Sequence, residues 1–129
     1  MAKEFTYRGK TLEELKGMPL EQFAKLCNSR SRKSLKDGFD KKFFSKVLKY
    51  DLSNVKQKAI RTHRRDIVVI PQMLGMKLAV YRGNNFEQIE VKPGMLGHYL
   101  GELVLTRKRL MHGKAGIGAT KSSTAITTR

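Results

Sequence analysis

The order of apolar and polar positions predicts helices across residues 11–50. Within this stretch, apolar side chains recur at the i, i+3, i+4, i+7 spacing that gives a helix one apolar face. These side chains are Leu20, Phe23, Ala24 and Cys27. Pro19 precedes them and can occupy the first turn, where its missing N–H costs nothing. The spacing therefore predicts an amphipathic helix that begins near Pro19.

Polar residues mark where two further helices should begin. Thr11 lies three positions before Glu14, which is the spacing of a capping box. Asp40 directly precedes "KKFFSKVLKY" and is expected to cap a helix there. Between these helices, "SRSRKSLKDG" interrupts the apolar period and ends at Gly38, so we predict a basic loop over residues 30–36.

The second part of the chain has the shorter period of β-strands. The run "IVVI" (67–70) is β-branched and stops at Pro71, as a short strand would. Two further strands are predicted over residues 77–83 and 86–91, joined through "GNN", a hairpin signal. Alternation places one set of apolar side chains on a common face of this hairpin. That set is Leu78, Val80, Ile89 and Val91.

The segment "MLGHYLGEL" (95–103) is predicted as a short helix in which Gly97 and Gly101 share one face. Glycine lowers helix propensity by roughly 1 kcal/mol relative to alanine, so the pair indicates that something, such as a bound partner, packs very closely against that face. The elements together predict an α+β fold with N-terminal helices, a small mixed three-stranded sheet, a short helix and an extended basic C-terminal tail. The predicted divisions are a helical extension (1–52), an α+β core (53–112) and the tail (113–129).

The charge of the chain points to a polyanionic partner. Its 129 residues include 27 Lys and Arg against 11 Asp and Glu, for a net charge of +16 and a pI of about 10.3. Such a compact protein repels itself unless an anion neutralises it. The single Cys27 excludes an internal disulfide. Because the start has no apolar signal-peptide core and no run approaches the ~20 apolar residues of a membrane span, we expect a cytosolic protein that makes no membrane contact.

Positive charge concentrates in three places with few acids to balance it. These are residues 30–36, the connector "SNVKQKAIRTHRR" (53–65), and the stretch from residue 107 to the end. Hydroxyl and glycine residues are mixed in, as suits contacts with phosphates and sugars. Nucleic acid is therefore the expected partner, and composition alone leaves RNA and DNA open.

A nucleotide-binding loop is the first alternative chemistry, and the spacing of the tail argues against it. Gly113 and Gly118 have the G-x-x-x-x-G separation. A P-loop then needs lysine directly after the second glycine. Here Ala119 and Thr120 intervene before Lys121. Backbone N–H groups of this glycine-rich run can still meet the phosphates of a nucleic acid.

Metal and acid–base chemistry find no better support in the sequence. The histidines His63, His98 and His112 have no metal-motif spacing, and stacking or hydrogen bonding with RNA fits their basic surroundings better. Glu102 stands alone and is expected to form a structural salt bridge with a nearby arginine. We therefore expect no enzyme, no catalytic residues, no metal site and no cofactor.

Three motifs occur together in a specific order: "RTHRRDIVVIPQMLG" (61–75), "VYRGNNFEQIEVKPGMLGHYLGEL" (80–103) and "TRKRLMHGKAGIGATKSS" (106–123). This succession resembles the family of small-subunit ribosomal proteins numbered nineteen in the bacterial scheme. The resemblance covers about residues 53–123. The helical leader and the "HGKAGIGATKSS" ending are similar to the archaeal and eukaryotic branch of that family.

The resemblance implies a structural, ribosome-bound protein of the cytoplasm. It implies binding to small-subunit ribosomal RNA in the head of the subunit, beside the protein numbered thirteen. It also implies that the tail runs toward the decoding region and the tRNAs. The family's Gly-His-x-x-Gly-Glu element falls here on Gly97, His98, Gly101 and Glu102. A free-standing basic protein that compacts nucleic acid is the alternative, and it would not prefer a folded ribosomal RNA over bulk DNA.

Charge and resemblance together give a set of candidate RNA-binding residues. They are Arg30, Arg32, Lys33, Lys36, Lys56, Lys58, Arg61, His63, Arg64, Arg65, Gly97, His98, Gly101, Thr106, Arg107, Lys108, Arg109, His112, Gly113, Lys114 and Lys121.

Overall fold

The structure is a computed structural model and describes residues 4–54 and 56–111. Its helices are α1 (Leu12–Gly17), α2 (Leu20–Leu26), α3 (Ser29–Asp37), α4 (Lys41–Leu48) and α5 (Leu100–Leu103). Its strands are β1 (Thr6–Tyr7), β2 (Lys10–Thr11), β3 (Ile60–Thr62), β4 (Lys77–Tyr81) and β5 (Phe86–Glu90). The predicted α+β class is confirmed, with helices preceding a small sheet. The predicted extended tail lies outside the described residues.

The predicted helix starts are confirmed by their caps. The Thr11 side chain accepts the N–H of Glu14, and the Glu14 carboxylate accepts the N–H of Thr11, so the capping box forms at α1. The Asp40 carboxylate accepts two backbone N–H groups at the start of α4. Both caps depend only on side chains within three residues, which is why the sequence alone could locate them.

The three-stranded sheet is mixed, as predicted. Its central strand is β4, which runs parallel to β3 and antiparallel to β5. Leu78 pairs with Ile89 in the hairpin, in agreement with the predicted common apolar face. Val91 follows β5, is buried, and donates its N–H to Met76 O at 3.0 Å.

The prediction that "IVVI" forms the first strand is wrong, because Ile60–Thr62 takes that place in the sheet. Val68, Val69 and Ile70 are buried, but their segment bonds to the turn at residues 97–100 rather than to a sheet edge. Val68 and Tyr99 form a single isolated bridge there. The continuous apolar run therefore reflects burial on all sides and not a place in the ladder.

The predicted loop over residues 30–36 is also wrong, because these residues belong to helix α3. The helix turns only Ser31 and Leu35 into the core, at i and i+4. A buried serine does not register as an apolar position, so the periodicity was hidden. Ser31 is satisfied where it lies, since its hydroxyl donates to Gly97 O at 3.2 Å.

The predicted helix over residues 95–103 is shorter in the structure. A 3-10 turn covers Pro93–Met95, and α5 begins only at Leu100. Between them, Gly97 has a φ of +78°, which an α-helix does not contain. Gly97 and Gly101 therefore do not share a helical face.

One hydrophobic core joins the helical extension to the sheet. Leu15 and Phe23 of the extension belong to the same buried cluster as Val69, Leu78 and Leu100. None of the helices in the described part of the chain has the length and apolar character needed to cross a membrane. The extension is therefore packed onto the surface that carries the family motifs, and both contribute to the candidate site.

Replacing Asp40 with alanine should lower the free energy of unfolding by about 1–2 kcal/mol at neutral pH. The carboxylate accepts the N–H groups of Lys42 at 3.0 Å and Phe43 at 3.1 Å, and it faces Arg64 at 3.3 Å. These contacts hold the pKa of Asp40 below its usual value, and the hydrogen bond from the Phe43 N–H contributes most. The stabilisation is thus complete above about pH 4 and is lost as the pH falls through the lower pKa of the folded state.

Urea unfolding of wild type and Asp40→Ala near pH 7 and near pH 3 measures both effects. Asp37→Ala is the matched control, because Asp37 is exposed and ends α3, where a negative charge is unfavourable. Wild type and Asp40→Ala should differ much less in free energy of unfolding near pH 3 than near pH 7. Equal losses in Asp40→Ala and Asp37→Ala would contradict the cap.

Candidate nucleic-acid interface

The connector, defined as residues 53–65, carries three arginines that face different surroundings. The guanidinium of Arg65 points inward and donates to the backbone oxygens of Tyr81 and Gly101, both at 2.7 Å, and also to Val104 O. It thereby joins the hairpin to both ends of α5. The predicted RNA contact of Arg65 remains a prediction, and this geometry does not favour it because protein oxygens occupy the fork.

Arg64 links the connector to the helical extension. Its guanidinium donates to Asp66 at 2.6 Å and to Gly38 O, and it lies 3.3 Å from Asp40. The hydrogen bond from Arg64 is the main reason why the pKa of Asp66 lies below its usual value. The same carboxylates raise the pKa of Arg64, so the side chain stays fully charged. Arg64 is therefore held as a fixed cation at the surface.

Arg61 and His63 point away from the core. Both are exposed, and both lie on the aromatic side chains of the hairpin. The Arg61 guanidinium lies 5.6 Å from the ring centroid of Phe86, and the His63 ring lies 4.4 Å from that of Tyr81. The Arg61 side chain takes part in no hydrogen bond or ion pair with the residues that the structure describes, although its backbone belongs to the β3–β4 ladder. Within the connector, it is the arginine best placed to meet an external anion.

Helix α3 presents a second set of cations. Arg30, Lys33 and Lys36 are exposed, and the Arg30 guanidinium lies 5.5 Å above the ring of Tyr99. Arg32 has a different surrounding, because it donates to the carbonyls of Ala24, Lys25 and Cys27 at the end of α2. An arginine in this position adds donors to carbonyls at a helix end, where the helix itself supplies few. Arg32 is thus engaged by protein, and its RNA contact remains a prediction.

His98 lies within hydrogen-bond distance of Glu102 in the family element. Its Nδ1 lies 2.6 Å from a carboxylate oxygen of Glu102, and both side chains are about half exposed. The expectation that Glu102 would pair with an arginine is wrong, because the i,i+4 neighbour on the same turn is His98. Beside this pair, Tyr99 Oη and Ser34 Oγ share a hydrogen bond of 2.8 Å. The element is thus tied to α3 next to the Arg30 side chain.

The two glycines of this element are approached closely by protein. A Cβ on Gly97 would lie 2.5 Å from Tyr7 Oη, and a Cβ on Gly101 would lie 3.1 Å from both Cβ and the backbone oxygen of Arg65. The prediction that something packs tightly against these positions is confirmed. The expectation that this neighbour is RNA or a partner is wrong for the Cβ directions, which the protein's own residues fill.

Gly97→Ala should destabilise the protein by about 1–2 kcal/mol, because the φ of +78° is the left-handed region that a Cβ disfavours. The new methyl group would also displace the Tyr7 hydroxyl. Thermal unfolding compares this variant with Gly94→Ala, since Gly94 has open space around it. Repeating the change in a Tyr7→Phe background removes the clash and isolates the backbone cost. Gly97→Ala as stable as Gly94→Ala would contradict this account.

The remaining predicted residues are exposed or outside the described part. Lys56 and Lys58 are exposed in the connector. After α5, another exposed run leads toward the tail, and it comprises Thr106, Arg107, Lys108 and Arg109. Four of the predicted residues lie outside the described residues, namely His112, Gly113, Lys114 and Lys121. Among residues 4–54 and 56–111, no group of three or more His, Cys, Asp and Glu side chains could hold a metal ion.

Sequence reasoning missed Tyr81 and Phe86, which support the exposed Arg61 and His63. The signal was present in the alternation of the hairpin: if Leu78 and Val80 face the core, then Tyr81 faces the other side. What the sequence did not reveal is that β3 lies beside β4 and brings Arg61 and His63 to these rings.

Fold and surface define a basic α+β protein that engages some of its arginines with its own oxygens and exposes other cations to solvent. Residues 30–112 match the family model described as Ribosomal protein S19. The small ribosomal subunit protein uS19 of Saccharolobus solfataricus is 46% identical over 124 residues, which cover 94% of this chain and 89% of that protein. The chain therefore belongs to the ribosomal protein S19 family, in its archaeal and eukaryotic form. The resemblance found in the sequence is thereby confirmed.

Proposed function

We propose that this chain is a structural, non-enzymatic component of the small ribosomal subunit that binds small-subunit ribosomal RNA in the head. Its proposed neighbours include the protein numbered thirteen, and its proposed place in the cell is the ribosome of the cytoplasm. Membership of the ribosomal protein S19 family carries this proposal. The excess of exposed cations over acids supports RNA as the partner.

The basic residues fall into two groups, one engaged by the protein and one exposed, and this supports a rigid binding surface. Arg32, Arg64 and Arg65 are engaged by carbonyls or carboxylates of the protein. They fix α2, α3, the connector and α5 relative to each other. Exposed cations on α3 and the connector then keep defined spacings, as recognition of one folded RNA requires, and further exposed cations follow α5. These are Arg30, Lys33, Lys36, Lys56, Lys58, Arg61, Arg107, Lys108 and Arg109.

The tail has a separate proposed role near the decoding region and the tRNAs. Residues 113–129 carry few charges, several glycines and several hydroxyl groups. Their only charged side chains are Lys114, Lys121 and Arg129. Such a segment can meet a moving phosphate backbone without strong attachment. Subunit assembly would then depend on residues up to 112, and tRNA contact on the tail.

Removing residues 113–129 should leave subunit assembly intact and change tRNA affinity or decoding accuracy. Subunits reconstituted with full-length or truncated protein are compared by sedimentation and by tRNA binding. The matched control keeps the length of the tail and replaces Lys114, Lys121 and Arg129 with glutamine. Truncation that blocks assembly while tRNA binding to the remaining subunits is unchanged would refute the proposed role of the tail.

Sedimentation of the tagged full-length chain from a lysate tests the main proposal. The chain should travel with small subunits. It should remain at the top of the gradient only when the small subunits are taken apart into RNA and protein. In a companion binding assay at matched salt, it should prefer folded small-subunit ribosomal RNA over bulk duplex DNA. A chain that stays at the top of the gradient and binds any duplex equally is instead a nucleic-acid-compacting protein.

A further inference from the structure

We propose that the outer face of the three-stranded sheet is a stacking site for an unpaired RNA base. The site is formed by the rings of His63, Tyr81 and Phe86 with the guanidinium of Arg61, and we call it the ring cluster. This inference rests on the proposed function, because it specifies how the RNA partner is held. It also places two residues of the hairpin, Tyr81 and Phe86, in the RNA contact.

The register of the sheet brings the ring cluster together. Leu78 and Val80 of β4 are fully buried and define the core side. Tyr81 therefore points to the opposite side, where it is paired with Phe86 across the hairpin. Arg61 is paired with Ala79 on the other edge of β4, and His63 lies two residues after Arg61, directly after the end of β3. The four side chains thus converge on one face from three adjacent segments.

The rings touch without covering one another face to face. The His63 and Phe86 centroids are 5.0 Å apart with an interplanar angle of 77°, and those of Tyr81 and Phe86 are 5.2 Å apart at 56°. His63 and Tyr81 are inclined at 48°. None of these three pairs is stacked in parallel, and His63 is exposed. A flat ligand can therefore lie against the cluster.

The charge beside the rings indicates a nucleotide. Arg61 lies over Phe86, and its guanidinium makes no hydrogen bond or ion pair with the residues that the structure describes. It can stack on a base through its planar face while it donates to the adjoining phosphate. Arg64 and Arg65 lack this freedom because protein oxygens hold them.

An unpaired base suits the ring cluster better than a helical stem. The deep major groove of A-form RNA does not admit side chains to the bases, and paired bases keep their faces inside the stack. Loops and bulges expose both faces of a base, and aromatic side chains bind such faces with little regard to sequence. The occupant is therefore a base of a single-stranded segment of the ribosomal RNA.

A fluorescent base tests the site with the full-length protein. The probe is a short single-stranded RNA that carries one 2-aminopurine, and the comparison is the same RNA annealed to its complement. Stacking should quench the probe in the single strand but not in the duplex. Phe86→Leu should weaken binding of the single strand by about 5- to 160-fold, the equivalent of roughly 1–3 kcal/mol per stacked base, and remove the quenching.

Three further variants separate stacking from folding and from charge. Phe44→Leu is the matched control, because Phe44 pairs with Phe39 at 5.0 Å on the helical extension and away from the sheet. His63→Gln changes an exposed ring and should weaken the quenching without affecting the melting temperature. Arg61→Gln should reduce the slope of log affinity against log salt by about one, whereas Phe86→Leu should not.

Unchanged single-strand affinity and quenching in both His63→Gln and Phe86→Leu would overturn the proposal and leave the rings as packing for the hairpin. Should Phe86→Leu fail to fold, His63→Gln alone decides, with the same two readouts. Failure of this inference differs from failure of the proposed function. In the first case the wild-type chain still sediments with small subunits, and in the second it does not.

Discussion

Raising the salt concentration from 50 to 200 mM should weaken the binding of this chain to small-subunit ribosomal RNA by roughly 10³–10⁵-fold. That range corresponds to neutralisation of 6–10 phosphates, each of which releases condensed counterions when a lysine or arginine replaces them. The net charge of +16 and the exposed cations on α3, the connector and the segment after α5 provide more than enough contacts. Non-specific binding to duplex DNA should show a comparable slope, because both depend on phosphates.

Fluorescence anisotropy of labelled ribosomal RNA over this salt range gives the slope. Replacing Lys33 and Lys36 with glutamine removes two exposed cations from α3. The slope should then fall by about two if both contact phosphates. Lys16→Gln together with Lys25→Gln is the matched control, since these lysines are exposed on α1 and α2 outside the predicted surface. An affinity that hardly changes with salt would mean that apolar contacts dominate.

Arg65→Met should lower the free energy of unfolding by roughly 2–4 kcal/mol. The guanidinium donates to three backbone oxygens that lie 16, 36 and 39 residues further along the chain. Hydrogen bonds to charged groups contribute about 1.5–3 kcal/mol each, and those of one half-buried fork are not additive. Without the fork, the oxygens of Tyr81, Gly101 and Val104 lose their charged donor.

Arg65→Lys keeps the charge but lacks the planar fork, so it should recover only part of this loss. The control is Arg61→Met, which should change stability by less than about 0.5 kcal/mol because Arg61 is exposed. Urea unfolding ranks the three variants. The opposite ranking is expected for RNA, since Arg61 faces solvent: folded Arg65→Lys should bind normally and Arg61→Met more weakly. Arg65→Lys as stable as wild type would contradict the structural role of the fork.

The features that the sequence revealed depend on interactions between residues that are close together in the chain. The capping box at Thr11, the cap at Asp40 and the hairpin alternation all involve residues within a few positions of each other. Their physical causes are therefore visible in a short window. The family motifs also identified the basic connector. The structure shows the surroundings of each of its three arginines.

The features that the sequence hid depend on tertiary neighbours. Residues 68–70 are buried yet outside the sheet, because the backbone of their segment bonds to the turn that Gly97 forms. Ser31 occupies a buried position of α3 where an apolar residue would be expected. It can do so because its hydroxyl donates to Gly97 O in the turn packed against the helix. Likewise, Arg61 and Arg65 are the same residue type and lie only four positions apart in the chain. Only the fold separates the exposed side chain from the engaged one.

The single hydrophobic core has a consequence for the order in which the chain is made. Helices of 6 to 9 residues, such as α1 to α4, are marginal in water by themselves. Their buried side chains, Leu15 and Phe23 among them, share a cluster with residues as late as Val104. A nascent chain that ends at residue 52 therefore exposes apolar side chains and has no partner surface for them. Resistance to proteases should arise in one step, once Val104 has emerged from the ribosome that synthesises it.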